Sequence, residues 1–318
     1  MTLDTTLDTS IEMPKRILVI KHGALGDIVQ AMDAFASLRA AHKDDYLAVL
    51  TTKPFVQWLE ASPYFDAVLV DDRAPFYDIW SGLRLRKMLR SGWARIYDFQ
   101  CSSRTSRYFR HMIKTARIEF IGKAKGASHP LPDFTGVNNR DRMLITAELG
   151  GCSKTQADLS WMGQGAHGLD IPPRYAVLLP GCSPAKPSKR WPAKGYANLA
   201  KLLQDKGITP VLAGTHHDQA TIADVQALNP DTISIMGKTN IDQLSTLLRG
   251  AAAVCGNDTG PVFLAARMDI PTVMVMGSDT DPSMSAPIGA KAGFVRQDDI
   301  ADVTPLDVIT ALSGCGLA

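Results

Sequence analysis

The chain has 318 residues, of which 45% are hydrophobic and 21% charged, and its formal net charge is +2. These ordinary globular values exclude collagen-like, disordered and disulfide-scaffold classes, and the small net charge argues against wholesale nucleic-acid binding. At about 100–200 residues per domain, the length predicts two domains. The first 160 residues carry 22 basic and 18 acidic side chains and the rest carry 12 and 14, so an anionic partner is expected to bind the N-terminal half.

The beginning of the chain and its cysteines predict a cytoplasmic protein. Residues 1–13 are rich in Thr and Asp and lack the apolar core of a signal peptide, so we expect a disordered tail there. No stretch approaches about 18 consecutive apolar residues, the length needed to span a bilayer. The five cysteines contain no CxxC pair, which is typical of unpaired thiols and gives no zinc-site spacing.

Short aliphatic runs alternate with longer amphipathic segments along the chain, which is typical of βαβ units. In the first half, the predicted strands are Ile17–Ile20, Tyr46–Thr51, Ala67–Val70, Arg95–Phe99 and Arg117–Ile121, and the predicted helices are Asp27–Ala41, a segment from Trp80 to Leu89, and Arg140–Leu149. In the second half, the predicted strands are Ala176–Leu179, Thr209–Ala213, Ala253–Cys255 and Thr272–Met276, and the predicted helices are Ala193–Asp205, Gln219–Leu228, Ile241–Leu248 and Gly260–Arg267. The fold class predicted is therefore α/β, with two Rossmann-like parallel-sheet domains at 14–160 and 175–318. The Pro-containing segment 161–174 is the predicted linker, and a cleft is expected where the two sheets face each other.

The first strand leads into a glycine-containing turn that ends at Asp27, where a helix begins. The turn has neither a Walker sequence nor a complete GxGxxG fingerprint. Asp27 has two interpretations: a cap of the following helix, or a general base that takes a proton from an attacking hydroxyl group. The two roles are compatible, because the helix dipole favours an ionised carboxylate. His22 is a rival base.

A cationic turn follows the first strand of the second domain. Lys186, Lys189 and Arg190 precede a helix, an arrangement that suits a diphosphate, although a solvated basic loop is the alternative. Another glycine turn, from Gly256 to Pro261, opens the helix at Gly260. Its backbone can approach an anion closely, and Asp258 is expected to cap the helix or orient the turn instead of contacting phosphate.

Two acidic features of the second domain have competing interpretations. Asp218 follows a strand end, where a carboxylate can hydrogen-bond a ribose or cap a helix. Asp279-Thr280-Asp281 matches the DxD that holds a metal in some sugar-nucleotide enzymes. No His or Glu cluster supports it, so no metal is expected.

A basic segment runs from Arg84 to Arg117, with ten cationic side chains and Asp98 as its one acidic residue. Its interleaved aromatic residues are Trp93, Tyr97, Tyr108 and Phe109. A solvated face and nucleic-acid binding are alternatives. We favour an anionic acceptor, with the same face resting on an anionic membrane leaflet.

Taken together, these segments resemble the heptosyltransferase family, glycosyltransferase family 9. The residues that carry the resemblance are Ile17–Ile20 with Gly26-Asp27, Asp98-Phe99-Gln100 with Arg104-Thr105-Ser106, Pro180-Gly181 with Lys189-Arg190-Trp191-Pro192, and Asn257-Asp258-Thr259-Gly260. The resemblance implies a GT-B fold and metal-independent, inverting transfer of heptose from ADP-heptose to Kdo or heptose of the lipopolysaccharide inner core, at the cytoplasmic face of the inner membrane. No cofactor is expected.

The resemblance also assigns roles to individual residues. It implies that Asp27 is the catalytic base. The residues implied in donor binding are Ser183, Lys189, Asp218, Asp258, Thr259 and Gly260, and those expected to bind the acceptor are Gly26, Gln100 and Arg104. One position departs from the family pattern, because Phe263 stands where many members have His in Asp-Thr-Gly-x-x-His.

Other functions remain open at this point. A GT-B enzyme that uses another nucleotide sugar is the nearest alternative, followed by a sugar-nucleotide epimerase of the same architecture. A non-catalytic nucleotide-binding relative is the alternative outside enzymes, and Phe263 is its one hint.

Overall fold

The computed structural model describes residues 13–75, 77–114, 117–183 and 186–318. The predicted tail at 1–13 lies outside these ranges except for Met13, which is exposed. Within the described residues, no helix combines the length and apolarity needed to cross a bilayer.

The N-terminal half forms a six-stranded parallel sheet. Its strands are β1 (Arg16–Ile20), β2 (Tyr46–Thr51), β3 (Ala67–Val70), β4 (Arg95–Asp98), β5 (Glu119–Gly122) and β6 (His129–Pro130), in the order β3-β2-β1-β4-β5-β6. Its helices are α1 (Leu25–Gln30), α2 (Met32–Ala41), α3 (Val56–Glu60), α4 (Ile79–Leu89), α5 (Ser103–Tyr108) and α6 (Asn139–Leu149), and a π-helical turn, Phe109–Ile113, continues α5.

The C-terminal half forms a second six-stranded parallel sheet. Its strands are β7 (Tyr175–Leu179), β8 (Thr209–Leu212), β9 (Ile233–Ser234), β10 (Ala253–Gly256), β11 (Thr272–Met276) and β12 (Ala292–Arg296), in the order β12-β11-β10-β7-β8-β9. Its helices are α7 (Ala193–Asp205), α8 (Gln219–Leu228), α9 (Ile241–Gly250), α10 (Gly260–Arg267), α11 (Pro282–Ser285) and α12 (Pro305–Gly314). The α/β class with two parallel sheets is confirmed. The exact domain boundaries stay a prediction.

Strand side chains alternate between two hydrophobic layers. In β1, Ile17 and Val19 pack into a core cluster on one face, whereas Leu18 and Ile20 pack into a separate cluster on the other. This alternation is the two-residue period of a strand covered by helices on both faces. The first cluster extends beyond the N-terminal sheet, because it also contains buried side chains of the segment between the sheets and of the C-terminal sheet.

Several elements depart from the sequence-based prediction. The helix expected over Asp27–Ala41 is divided at Ala31, whose amide hydrogen bonds to the carbonyl oxygens of Ile28 and Val29 instead of continuing the α-helical pattern. The short strands β6 and β9, the edge strand β12 and the helices α3, α5, α11 and α12 were not predicted.

In both sheets, the chain reverses its direction of winding between two neighbouring strands. These positions lie between β1 and β4 in the first sheet and between β7 and β10 in the second. Ligands of open parallel sheets bind at the carboxyl ends of strands at such a point. The turns that contain Asp27, Gln100, Lys189 and Asp258 all follow these four strands.

Candidate functional site

Asp27 lies in the first turn of α1, where its half-buried carboxylate accepts two hydrogen bonds. The backbone N–H of Ala24 donates to Oδ2 at 3.2 Å, so Asp27 reaches back to the start of its own helix as a capping residue does. The Nδ2 atom of Asn139 donates to Oδ1 at 2.8 Å from the start of α6. The capping interpretation therefore holds, and one carboxylate is fixed from two elements, as a general base requires.

A buried cation accompanies this carboxylate. Lys21 follows β1 and is almost fully buried. Burial lowers the pKa of Lys21, and the nearby negative charge of Asp27 opposes that shift. The site therefore contains a compensating positive charge from the same turn.

The helices α1 and α10 meet through two glycines. A Cβ atom added to Gly260 would lie 2.9 Å from the backbone nitrogen of Gly26 and 2.9 Å from the Cβ atom of Leu25, closer than real side chains approach. A Cβ atom on Gly26 would lie 3.2 Å from the Cα atom of Gly260. Since each glycine adjoins a predicted site residue, this contact brings Asp27 of one half close to Thr259 of the other.

The positions of Gly26 and Phe263 give both of them a packing role. Gly26 is buried, and a Cβ atom there would lie 3.1 Å from Cδ2 of Phe263. The Phe263 ring is itself buried in the shared core cluster. An apolar ring thus lies at the interdomain contact at the position where many family members have His. The acceptor-binding role of Gly26 stays a prediction.

The donor-side turns are held together by a buried asparagine. Asn257 donates through Nδ2 to the carbonyl oxygens of Pro180 (2.9 Å) and Gly181 (3.1 Å). Its Oδ1 accepts from the backbone N–H of Trp191 at 2.9 Å and from the hydroxyl group of Tyr196 at 3.0 Å. The turns after β7 and β10 therefore form one rigid unit.

Lys189 and Asp258 form an ion pair across this unit, with both side chains mostly buried. Thr259 occupies the N-cap position of α10 without a side-chain capping hydrogen bond, and Gly260 is the first residue of the helix. Ser183 is exposed, and its carbonyl oxygen accepts from the backbone N–H of Lys186 at 2.9 Å. Five of the six predicted donor residues therefore lie on the turns after β7 and β10, where Asp258 pairs with Lys189.

Asp218 acts as a local cap. Its Oδ2 accepts from the backbone N–H of Thr215 at 2.9 Å and from the hydroxyl group of Thr215 at 3.0 Å, and the side chain is buried. A Cβ atom on Gly181 would clash with this carboxylate, so the cap also lies against the donor-side turn. The ribose contact stays a prediction.

The acceptor side contains a buried polar network that the sequence did not reveal. His22 Nε2 lies 3.0 Å from Oδ2 of Asp71, which also accepts from the hydroxyl group of Tyr108. Burial alone would raise the pKa of Asp71, but hydrogen bonds from His22 and Tyr108 lower that pKa to about 2. His22 is therefore engaged with Asp71, which weakens its case as a rival base.

Gln100 and Arg104 extend this network. The backbone N–H of His22 donates to Oε1 of Gln100 at 2.9 Å, and Arg104 donates to Tyr108 and, at 3.1 Å, to the carbonyl oxygen of Ala74. Arg104 also lines a cavity of about 720 Å³ between β3, α4 and α5. The other residues that contribute charge to its wall are Asp71, Asp72, Asp78, Arg84, Arg107 and His111.

The aromatic residues interleaved in the basic segment do not lie on the protein surface. Trp93, Tyr97, Tyr108 and Phe109 are all buried, because they face the sheet as part of the core. The cations between them are mostly exposed, although Arg95 pairs with Glu119 at 2.6 Å. Only the charge, and not the aromatic interleaving, is available to a ligand.

The DxD segment has a structural use in the folded chain. Asp281 caps α11 by accepting from the backbone N–H of Ser283 at 2.9 Å. Across residues 13–75, 77–114, 117–183 and 186–318, no three or more His, Cys, Asp or Glu side chains are grouped so that they could hold a metal ion.

Comparison with known proteins supplies the family. Lipopolysaccharide heptosyltransferase 2 of Escherichia coli (strain K12) is 34% identical over 115 residues, which cover 35% of this chain and 33% of that protein. Lipopolysaccharide heptosyltransferase 1 of the same strain is 31% identical over 142 residues, covering 44% of this chain and 43% of that protein. These alignments span between a third and a half of the relatives' length.

A solved structure shares the whole fold. The E. coli heptosyltransferase WaaC with ADP has a TM-score of 0.77 and 20% identity, covering 95% of this chain and 100% of that one. The sequence model of glycosyltransferase family 9 (heptosyltransferase) matches residues 139–304, just over half of the chain. The chain therefore belongs to glycosyltransferase family 9, the heptosyltransferase family.

Proposed function

We propose that this protein is an inverting glycosyltransferase that moves heptose from ADP-heptose to a Kdo or heptose residue of the lipopolysaccharide inner core. The observation that carries the proposal is the glycine contact between α1 and α10, which brings the helix that carries Asp27 against the start of α10. The names of the relatives and the ADP that accompanies WaaC in its solved structure support the donor and acceptor classes.

Transfer with inversion requires in-line attack by an acceptor hydroxyl group on the anomeric carbon of the donor. Asp27 takes the proton of that hydroxyl group, and Asn139 keeps the carboxylate in the required orientation. The base comes from the domain at residues 14–160, which we propose binds the acceptor. The domain at residues 175–318 binds the donor.

The departing diphosphate gains negative charge as the glycosidic bond breaks. Lys189 and the free backbone N–H groups at the start of α10 supply positive charge there, with Ser183 on the adjoining turn. Lys189 is held by its ion pair with Asp258 until the donor binds, and it then contacts the diphosphate instead. We assign the ribose contact to Asp218, whose Oδ2 atom also accepts from the backbone N–H of Thr215.

The acceptor occupies the side of the cleft formed by Gly26, Gln100 and Arg104. The guanidinium group of Arg104 lines the 720 Å³ cavity and suits an anionic sugar, because guanidinium and carboxylate groups form paired hydrogen bonds. We place the enzyme at the cytoplasmic face of the inner membrane, as a peripheral protein.

A GT-B enzyme for another nucleotide sugar is the second candidate. The observation that favours it is Phe263, whose buried ring stands where many family members have His. Removing a hydrogen-bond donor at that point changes which sugar hydroxyl groups the site can recognise.

Mass-spectrometric product analysis with a panel of nucleotide sugars and core acceptors tests the proposal. We expect ADP-heptose to be consumed with a Kdo-containing acceptor, and Asp27→Ala to reduce turnover by about 10²–10⁴-fold while ADP affinity changes only severalfold. Equal turnover in Asp27→Ala would remove Asp27 from the base role. Nucleotide binding without turnover on any acceptor would favour the non-catalytic alternative.

A further inference from the structure

The helix α4 of the N-terminal half presents an outward face that combines large apolar side chains with cations. Ile79, Trp80 and Leu83 are 69%, 78% and 51% exposed. Leu89 is the one buried residue of this eleven-residue helix. Buried apolar area is what normally holds a helix on a domain, so such exposure on consecutive turns is unusual for a purely solvated surface.

The two sides of α4 have different surroundings, because one side faces a cavity and the other faces outward. Ser81, Gly82, Leu85 and Met88 line the 720 Å³ cavity on the inner side. Arg84 is exposed but also lines this cavity, whereas the other exposed residues of the helix and its C-cap fall on the opposite side: Ile79, Trp80, Leu83, Arg86, Lys87 and Arg90. Residues three and four positions apart share a helix face, so this set forms one continuous outer face, which we name the α4 face.

The charge of the α4 face has a single sign. Its apolar residues occupy the first half of the helix, and three cations, Arg86, Lys87 and Arg90, occupy the second half and the C-cap. The Asp78 carboxylate at the N-terminus of α4 is engaged by the backbone N–H of Ser81 at 3.0 Å and the Ser81 hydroxyl group at 2.7 Å. A tryptophan beside aliphatic and cationic side chains is typical of a helix that lies in the headgroup region of a bilayer.

We propose that the α4 face docks this protein on an anionic lipid bilayer. The apolar side chains enter the headgroup boundary, and the cations contact lipid phosphates. The inference rests on the proposed function for its biological setting, because an acceptor anchored in a membrane must meet the enzyme there. The inner side of the same helix lines the cavity that contains Arg104, so docking would hold this cavity about one helix diameter from the membrane surface.

Vesicle cosedimentation tests the docking without any donor or acceptor. We expect the full chain to bind vesicles of phosphatidylcholine mixed with phosphatidylglycerol, and to bind pure phosphatidylcholine vesicles weakly. Trp80→Ala should weaken binding about tenfold or more through loss of buried apolar area. Arg86→Gln and Lys87→Gln should each weaken it by roughly fivefold, and added salt should weaken it further.

Matched controls come from the C-terminal half. Leu306 is 66% exposed at the start of α12, and Lys201 is exposed on α7, so Leu306→Ala and Lys201→Gln change equivalent surface elsewhere. These variants should bind vesicles like the parent chain. Trp80 is far more exposed than Trp58, Trp93 and Trp191, so a blue shift of tryptophan emission on vesicle addition should disappear in Trp80→Phe.

Three results would overturn the docking proposal: no vesicle binding by the parent chain, equal losses in Trp80→Ala and Leu306→Ala, or a dimer in solution that Trp80→Ala converts to monomers. The last result would assign the α4 face to a protein contact. Turnover on a soluble, delipidated acceptor should be the same in Trp80→Ala and the parent chain. Absence of turnover in both, with vesicle binding intact, would refute the proposed function and leave the docking inference standing.

Discussion

Replacing Gly260 with alanine tests whether turnover depends on the contact between α1 and α10. The added Cβ atom would lie 2.9 Å from both the backbone nitrogen of Gly26 and the Cβ atom of Leu25. Because non-bonded carbon atoms prefer separations of about 3.5–4.0 Å, the two helices must move apart by roughly 0.6–1 Å. Overpacking of this kind costs about 1–3 kcal/mol of stability.

The same displacement separates the groups that we assign to chemistry. Asp27 adjoins Gly26, and Thr259 adjoins Gly260, so the movement widens the distance between the base and the diphosphate turn. A misplacement of about 1 Å can reduce a rate on the order of 10²-fold. We expect Gly260→Ala to lower kcat by about 10–100-fold, with a smaller change in the Kd of ADP measured by calorimetry.

Two further glycine variants make the test specific. Gly314 is the last residue of α12, with no atom within 4 Å of an added Cβ, so Gly314→Ala should leave turnover unchanged and raise stability by up to about 1 kcal/mol. In Gly26→Ala, the nearest atom is Cδ2 of the Phe263 side chain at 3.1 Å, and a milder loss is expected. If Gly260→Ala melts and turns over like Gly314→Ala, the helices are not held together during catalysis.

Three other substitutions probe the site and the interdomain contact. Asn139→Ala removes a charge-assisted hydrogen bond worth about 1.5–3 kcal/mol, so kcat should fall about tenfold or more at unchanged KM for the donor, and an unchanged kcat would refute its positioning role. Lys189→Gln should weaken ADP binding in calorimetry by about tenfold, whereas unaltered affinity would detach the lysine from the donor. The buried carboxylate of Asp33 accepts hydrogen bonds from Arg140 and Arg267, each at 2.7 Å. Burial alone would raise the pKa of Asp33, but the backbone N–H of Ala157 and these two arginines hold that pKa below its ordinary value of 3.8. Its ionised form therefore stabilises the fold above pH 3.8, and this contribution is lost as the pH falls through the lower folded-state pKa. Asp33→Asn should destabilise the protein by about 3–5 kcal/mol at neutral pH in urea titrations and by less in acid, and an equal loss at both pH values would contradict the ion-pair role.

Most of the strands that the sequence predicted are buried on both faces, whereas the predicted edge strand β3 is half-buried. Runs such as Ile17–Ile20 and Thr272–Met276 are continuously apolar because helices cover both sides of the sheet. The strand β12 is partly exposed at the sheet edge and contains Gly293, so it has no such run. The two-residue strands β6 and β9 are too short to produce a pattern.

Local turns could be predicted from the sequence, but contacts between distant turns could not. The glycine turn before Asp27 and the cations before α7 are visible as motifs. Nothing in the pair Asn138-Asn139 indicates that Asn139 bonds to a carboxylate 112 residues away while Asn138 caps the helix. Either asparagine suits a helix start, and only the packing of α6 beside α1 distinguishes them.

The hydrophobic cluster shared by the two halves has a thermodynamic consequence. Phe35 of α2, Met162 of the connecting segment and Leu247 of α9 belong to one continuous buried set. Melting either sheet would expose apolar surface of the other, so the halves should lose structure together in one calorimetric endotherm whose measured enthalpy matches its van't Hoff value. Neither half expressed alone should reach the thermal stability of the intact chain.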